Sequence, residues 1–401
     1  MTRVFCLLLI FLPLTVCGQK AFKPIRTALK AKNYKEVINQ VNKLREDSTY
    51  RHSADLCLYM IEGQKGLNDA ENTKLYLKKN YDTVSFFSTT RQIVEEAVKV
   101  DSIQRAELGD KDAEKSKQWR TAMEHVKRYF PNIHPAARFF FRKGNYAEAM
   151  GYLRLSVDLP ATPLGKHLAL SGQNRIPHTA LYLLAAFNEK NYPEVHRYET
   201  DALADTTSRP LIVESLVYTA EAEGDTARYH HWLREGFNAY PEQTVFFTRL
   251  ADLYAQHHDF QGVMQIADEL LQKDSASVSA RLAQCMALLN MAQLDACIQA
   301  GRDLLAVDTA NVEAHYYIGA SFVGKATQVQ LPANALSKAY SQALRKQQAY
   351  YREAETSLET YRTLAPNLQK RWAPLLYKVY LALNEGKKFA EIEKILQWLK
   401  M

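Results

Sequence analysis

Glycine and proline are scarce in this chain of 401 residues, at 15 and 13. β-branched alternation is also hard to find, which leaves helix favoured over strand. Of five cysteines, Cys57, Cys285 and Cys297 lie beyond the N-terminal run. Three are too few for a disulfide scaffold. The charge of +7 comes from 51 basic and 44 acidic residues without a dense Lys/Arg block. The modest cluster from Lys111 to Arg120 lacks the concentration of a nucleic-acid footprint, so no nucleic-acid partner is expected. Past the N-terminus no segment approaches the ~20 apolar residues of a membrane span. There is no nucleophile elbow, no HExxH and no glycine-rich dinucleotide fingerprint, so neither an enzyme nor a bound cofactor is expected.

Hydrophobic residues make up 47% and aromatic ones 11%, ample for a large core and too rich for disorder. Arg3, the apolar run Val4 to Val16, and small residues before Gln19 have the form of an export signal cleaved after residue 18. The expected location is the periplasm or cell envelope. Leu14-Thr15-Val16-Cys17 resembles a bacterial lipobox, although Val16 stands where a small residue belongs; a lipid anchor at Cys17 is the rival reading.

The body of the chain repeats itself. Pro241, Ser275 and Thr309 stand 34 residues apart, each closing one unit. A helix entry recurs as Asn33-Tyr34-Lys35-Glu36-Val37, Asn145-Tyr146-Ala147-Glu148-Ala149 and Asn191-Tyr192-Pro193-Glu194-Val195. Each offers a polar cap and a carboxylate near the positive helix end. Looser copies begin at Asp259 and Phe389. Phe247, Leu250, Ala251 and Tyr254, then Val263, Ala267 and Leu270, fill one unit; Val213, Leu216, Tyr229, Leu233, Gly236 and Pro241 fill the one before. This pattern resembles the tetratricopeptide repeat (TPR) family. The resemblance implies an all-α, right-handed superhelical solenoid of antiparallel helix pairs. Arg281, Gln284 and His315 depart from the family pattern. It is clear over 205–322 and looser over 21–80, 136–200 and 366–399.

Residues 19–135 form an N-terminal set of helical repeats, and 136–401 the solenoid proper. Within the first set, 88–130 reads as two long charged helices around Gly109-Asp110, out of phase with 34. Two insertions, near 160–177 and 324–336, interrupt the second, and a long helical run follows from Leu336 to Leu364.

Gly319-Ala320-Ser321-Phe322-Val323-Gly324-Lys325 nearly spells a phosphate loop, but Ala326 replaces the magnesium-binding hydroxyl and the strand is missing. Gly319 instead suits a small slot of a repeat helix that Gly324-Lys325 would end. His230-His231 and His257-His258 point apart on their helices, and His231 with Glu235 supplies only two ligands. No metal site is expected. In the resembled repeat Cys285 and Cys297 fall where two helices touch most closely. A disulfide between them is one reading, and two reduced core cysteines the other.

The resemblance further places Glu214, Tyr218, Thr248, Asp252, Leu282, Met286, Tyr316 and Ala320 on a concave strip. An exposed strip of this kind suits a protein or peptide partner; the alternative is that it packs on the next unit. The functional expectation is an exported interaction scaffold of a bacterial envelope. Its rival is an envelope enzyme or glycan-binding protein with its site in the two insertions.

Overall fold

The computed structural model describes residues 20–170 and 175–399, so the apolar run read as an export signal and Cys17 lie outside the described residues. Those residues are helical, without a strand. By packing they fall into two compact units, divided between Thr219 and Ala220. The boundary read at 135/136 falls inside a helix, Ile133–Arg142.

In the first unit α1 (Lys23–Lys30) pairs with α2 (Tyr34–Arg45), and α3 (Ala54–Tyr76) with α4 (Thr83–Leu108). Val37 and Val41, four apart, are fully buried with Ile25, Leu56 and Met60. After α4 the chain forms α5 (Asp110–Ala113) and α6 (Lys117–Tyr129). The second long helix read over 88–130 is therefore broken. Ser116 turns the chain and accepts a hydrogen bond from the Trp119 amide at 3.1 Å, starting a new helix. Trp119 Nε1 then donates to Asp101 at 2.6 Å, which ties the new helix to α4.

Next come α7 (Ile133–Arg142) with α8 (Tyr146–Asp158), and α9 (Pro163–His167). The insertion at 160–177 is thus partly helical, with residues 171–174 undescribed. Thr162 caps α9, Leu164 and Leu168 are buried, and the His167 ring meets Trp119 edge-on at 5.2 Å. This segment packs over the break at 114–116. Then α10 (Arg175–Asn188), α11 (Tyr192–Val195), α12 (Glu199–Ala202) and α13 (Arg209–Glu223) follow.

The second unit continues in pairs: α14 (Thr226–Ala239), α15 (Thr244–Gln256) with α16 (Phe260–Lys273), and α17 (Val278–Asn290) with α18 (Leu294–Val307). After these come α19 (Val312–Gln328) with α20 (Lys338–Leu364), and α21 (Gln369–Leu383) with α22 (Gly386–Leu399). One of its cores joins α19, α20 and α21 through Phe322, Leu358, Tyr361, Trp372 and Tyr380. Fully burying side chains of this size stabilises by about 1.5–3 kcal/mol each before entropy is counted.

The turn inside each pair explains the period. Lys190, Gly224, His258 and Ala292 have φ values of 56°, 72°, 58° and 57°, and they stand at 34-residue intervals. At His258 the amide reaches Ala255 O at 3.0 Å, while the next amide, of Asp259, reaches Tyr254 O at 2.9 Å. The same bonds recur at Ala292 and Gln293, closing each first helix with a Schellman motif. Asn33, Asn145, Asp225 and Asp259 then cap the partner helices through their side chains. Asn191 does not; its backbone carbonyl accepts from the Glu194 amide instead. The next position in this series would be Ala326, but α19 runs on to Gln328. Gly324-Lys325 therefore lies within the helix rather than ending it. Gly319 does fill a small slot: a Cβ there would sit 2.6 Å from Leu358 Cγ.

Candidate functional site

A cleft of about 740 Å³ opens where the overlong α19, the 329–337 loop and α20 leave the repeat pattern. Its walls are the start of α18 (Gln293 to Ala296), the end of α19 (Lys325, Gln328) and one face of α20 (Ala343, Lys346, Tyr350). Gln347 of α20 donates to Ala326 O at 3.1 Å and pins the last turn of α19. Ser337 caps α20 by accepting from the Tyr340 amide at 3.0 Å. The cleft floor is thus set by two helix ends and a rigid helix face.

Lys325 anchors the electrostatics. Its ammonium donates to Asp295 and lies 4.6 Å from the Tyr350 ring centroid, with Lys346 Nζ at 6.0 Å from the same ring. The hydrogen bond to Asp295 raises the Lys325 pKa, so it stays charged. Asp295 is the single carboxylate of the cleft lining and is already paired.

A second cleft, about 430 Å³, shares Gln293 with the first as a lining residue. It is lined by Gln261, Gln265 and Gln272 with Met264, Leu288 and Met291. Its two carboxylates are also engaged. Asp268 accepts from Gln284 Nε2 at 2.6 Å. Glu269 accepts from Arg234 at 2.8 and 3.0 Å and from Gln265 at 2.9 Å. Burial alone would raise the Glu269 pKa, but these hydrogen bonds outweigh it and hold the carboxyl below its usual range. Together the two clefts offer amides, thioethers, one aromatic ring and two ammonium groups. Every carboxylate in their walls has an internal partner.

The strip read from the sequence lies elsewhere, and none of its residues lines either cleft. In the first unit Glu214 and Tyr218 are half-buried, with the Tyr218 ring 6.2 Å from Phe187. In the second unit Thr248 and Asp252 are exposed, Leu282 and Met286 half-buried, and Ala320 buried. Leu282 packs on the Cys285–Leu304 cluster. Tyr316 is covered by Arg371, whose guanidinium carbon sits 3.9 Å above its ring, and lies 5.3 Å from the Tyr361 ring. At this end the strip serves packing between successive helices.

Cys57, Cys285 and Cys297 are buried free thiols. The structure brings Cys285 and Cys297 together, but the Cys297 thiol donates to the Cys285 carbonyl at 3.3 Å rather than bonding its sulfur. Burial pushes the Cys285 thiol up to about 12 and also raises Cys297, which keeps both protonated and unreactive. His230, His231, His257 and His258 are exposed, and among the described residues no three His, Cys, Asp or Glu side chains converge. His258 serves a turn, through its positive φ. The phosphate-loop lysine, Lys325, belongs to the cleft.

Sequence reasoning marked the 324–336 insertion but missed Tyr350, Lys346 and the glutamines. Only Lys325 carried a signal, through the false phosphate loop.

No protein-family model matches the chain, and no curated protein does. Among solved structures, the human IFIT1 dimer with PPP-AAAA aligns at 16% identity over 82% of this chain and 71% of its own, with a TM-score of 0.34. The TPR domain of P58(IPK) aligns at 11% over 92% and 99%, TM-score 0.29. Yeast Tom70 aligns at 12% over 94% and 87%, TM-score 0.26. Nothing about binding passes from them to this chain.

Proposed function

We propose that the chain is a non-catalytic interaction scaffold that holds an extended peptide segment of a partner protein along the two neighbouring clefts of its second unit. The observation that carries this reading is the chemistry of their walls. Glutamine amides both donate and accept, so they can pair with a peptide backbone. Met264 and Met291 adapt to varied side chains. Lys346 beside Tyr350 offers an anchor for an acidic residue, while Lys325 is held by Asp295. Acid–base catalysis needs a free group of suitable pKa, and the cleft carboxylates are tied to Lys325, Gln284 and Arg234. We further propose that the scaffold works after export into a bacterial envelope, on the strength of Arg3 and the apolar run Val4 to Val16.

Site-specific photo-crosslinking tests the site. A crosslinker at Gln330, beside the first cleft, is expected to give one discrete protein adduct in cells. Lys346→Glu with Tyr350→Ala should abolish it. Adducts at Thr248 but not at Gln330 would return the site to the strip, and adducts indifferent to both substitutions would overturn the cleft.

A further inference from the structure

The α3/α4 hairpin is built differently from its neighbours. α3 and α4 run for 23 and 26 residues, against 8 and 12 for α1 and α2. α2 begins opposite the middle of α3, where a Cβ on Gly66 would lie 2.2 Å from the Tyr34 ring. The end of α6 reaches α3 at Asp69, 3.9 Å from Arg128. From there the hairpin continues alone for roughly two turns, ~10 Å at 1.5 Å per residue. Every residue from 72 to 80 is exposed.

This projecting end is apolar at its tip. Tyr76 is 86% exposed, Leu77 and Val84 are each 53%, and Leu75 is 41%. Single exposed apolar residues are ordinary, but here four are gathered on one projecting end: Leu75 and Tyr76 in the last turn of α3, Leu77 just after it, and Val84 in the first turn of α4. The tip is also a defined turn. Lys78 has φ 53°, its amide reaches Leu75 O at 3.0 Å, and the Lys79 amide reaches Lys74 O at 2.9 Å. Tyr81 closes the loop edge-on against Phe86 at 6.2 Å.

Charge selects the occupant. Glu71 is used internally, by Lys74 at 2.7 Å and the Asp82 amide at 2.8 Å. Asp82 caps α4 by accepting from the Ser85 amide at 2.9 Å. Lys78 and Lys79 have no acidic partner among the described residues and flank the apolar tip. Aromatic and aliphatic side chains next to two lysines match the interfacial zone of a bilayer, where tyrosine sits at headgroup depth and lysine stems reach up to phosphate.

We infer that the 72–84 hairpin tip docks the protein reversibly on an anionic lipid surface. Tyr76 and Leu77 enter the interface while Lys78 and Lys79 meet lipid phosphates. No helix of the described residues is long and apolar enough to cross a membrane, so this contact is peripheral.

The test uses the full chain carrying Tyr76→Trp, its fluorescence taken as a difference from the parent. Vesicles of equal phosphatidylglycerol and phosphatidylcholine are expected to shift the added emission to the blue, and brominated lipid should quench it. Adding Lys78→Glu and Lys79→Glu should cut the partition of the probe by about tenfold or more. These positions are exposed, so the fold is retained. An unshifted probe would overturn the inference. So would equal shifts on pure phosphatidylcholine, or a concentration-dependent shift without vesicles, which would mark self-association.

Discussion

His134 of α7 and His178 of α10 stack face to face, with ring centroids 3.8 Å apart and planes inclined by 15°. Both Nδ1 atoms are buried without a hydrogen-bond partner. Burial lowers both pKa values. The neighbouring Arg138 charge adds to this for His134, and His134 itself adds to it for His178, which falls to about 4. The folded state therefore binds fewer protons than the unfolded chain between about pH 6.5 and pH 4. Stability is full above that window and falls as pH drops through it, by on the order of 2 kcal/mol for His178. Urea denaturation at pH 7.5 and pH 5 should show the loss, and His178→Phe should shrink the difference between the two pH values. An unchanged difference would clear this pair of the effect.

The Schellman turns give a reciprocal pair of substitutions. Ala292 holds φ 57° and Gly224 holds φ 72°. An L side chain is strained in that region, whereas glycine is not. Ala292→Gly is expected to raise stability by about 0.5–1 kcal/mol and Gly224→Ala to lower it by about 1 kcal/mol. Thermal unfolding of both variants measures it; equal effects of one sign would refute the turn assignment.

Much of this was legible beforehand. The spacing of Pro241, Ser275 and Thr309 reported the backbone period, and Asn33 and Asn145 were readable as caps because capping is local. Less local features escaped. Nothing near Gln328 stops α19 in the sequence, so its overrun past Lys325 depends on packing against α20. The break at Ser116 competes with good helix formers on both sides and is decided by Trp119 reaching Asp101. Tyr350 joins Lys325 across a loop out of phase with the repeat, which left no pattern to find.

Arg371 should prove a joint of the second unit. It stacks on Tyr316 and its Nη1 donates to Glu313 at 2.8 Å. Arg371→Ala is expected to cost about 1–2 kcal/mol, and Arg371→Lys to recover little, since lysine keeps the charge but loses the planar stack and fork. Paired denaturation curves with Tyr316→Ala would show coupling between the two; additive losses would place Arg371 outside the joint.

The buried thiols offer a chemical check. With Cys285 and Cys297 protonated and enclosed, maleimide should label Cys57, Cys285 and Cys297 slowly in the native protein and completely in denaturant. Intact mass without reductant decides between two free thiols at 285 and 297 and a bond, which would lower the mass by about 2 Da and leave the pair unlabelled.

The recurring left-handed turn makes the length of the array adjustable. Excising Asp225 through His258 would join Gly224 directly to Asp259, a positive-φ glycine followed by a helix-capping aspartate, as Gly224 and Asp225 are now. The splice preserves backbone conformation and side-chain phase on both sides of the cut. Copies of a unit can thus be lost or gained at these joints without the chain having to devise a new connection.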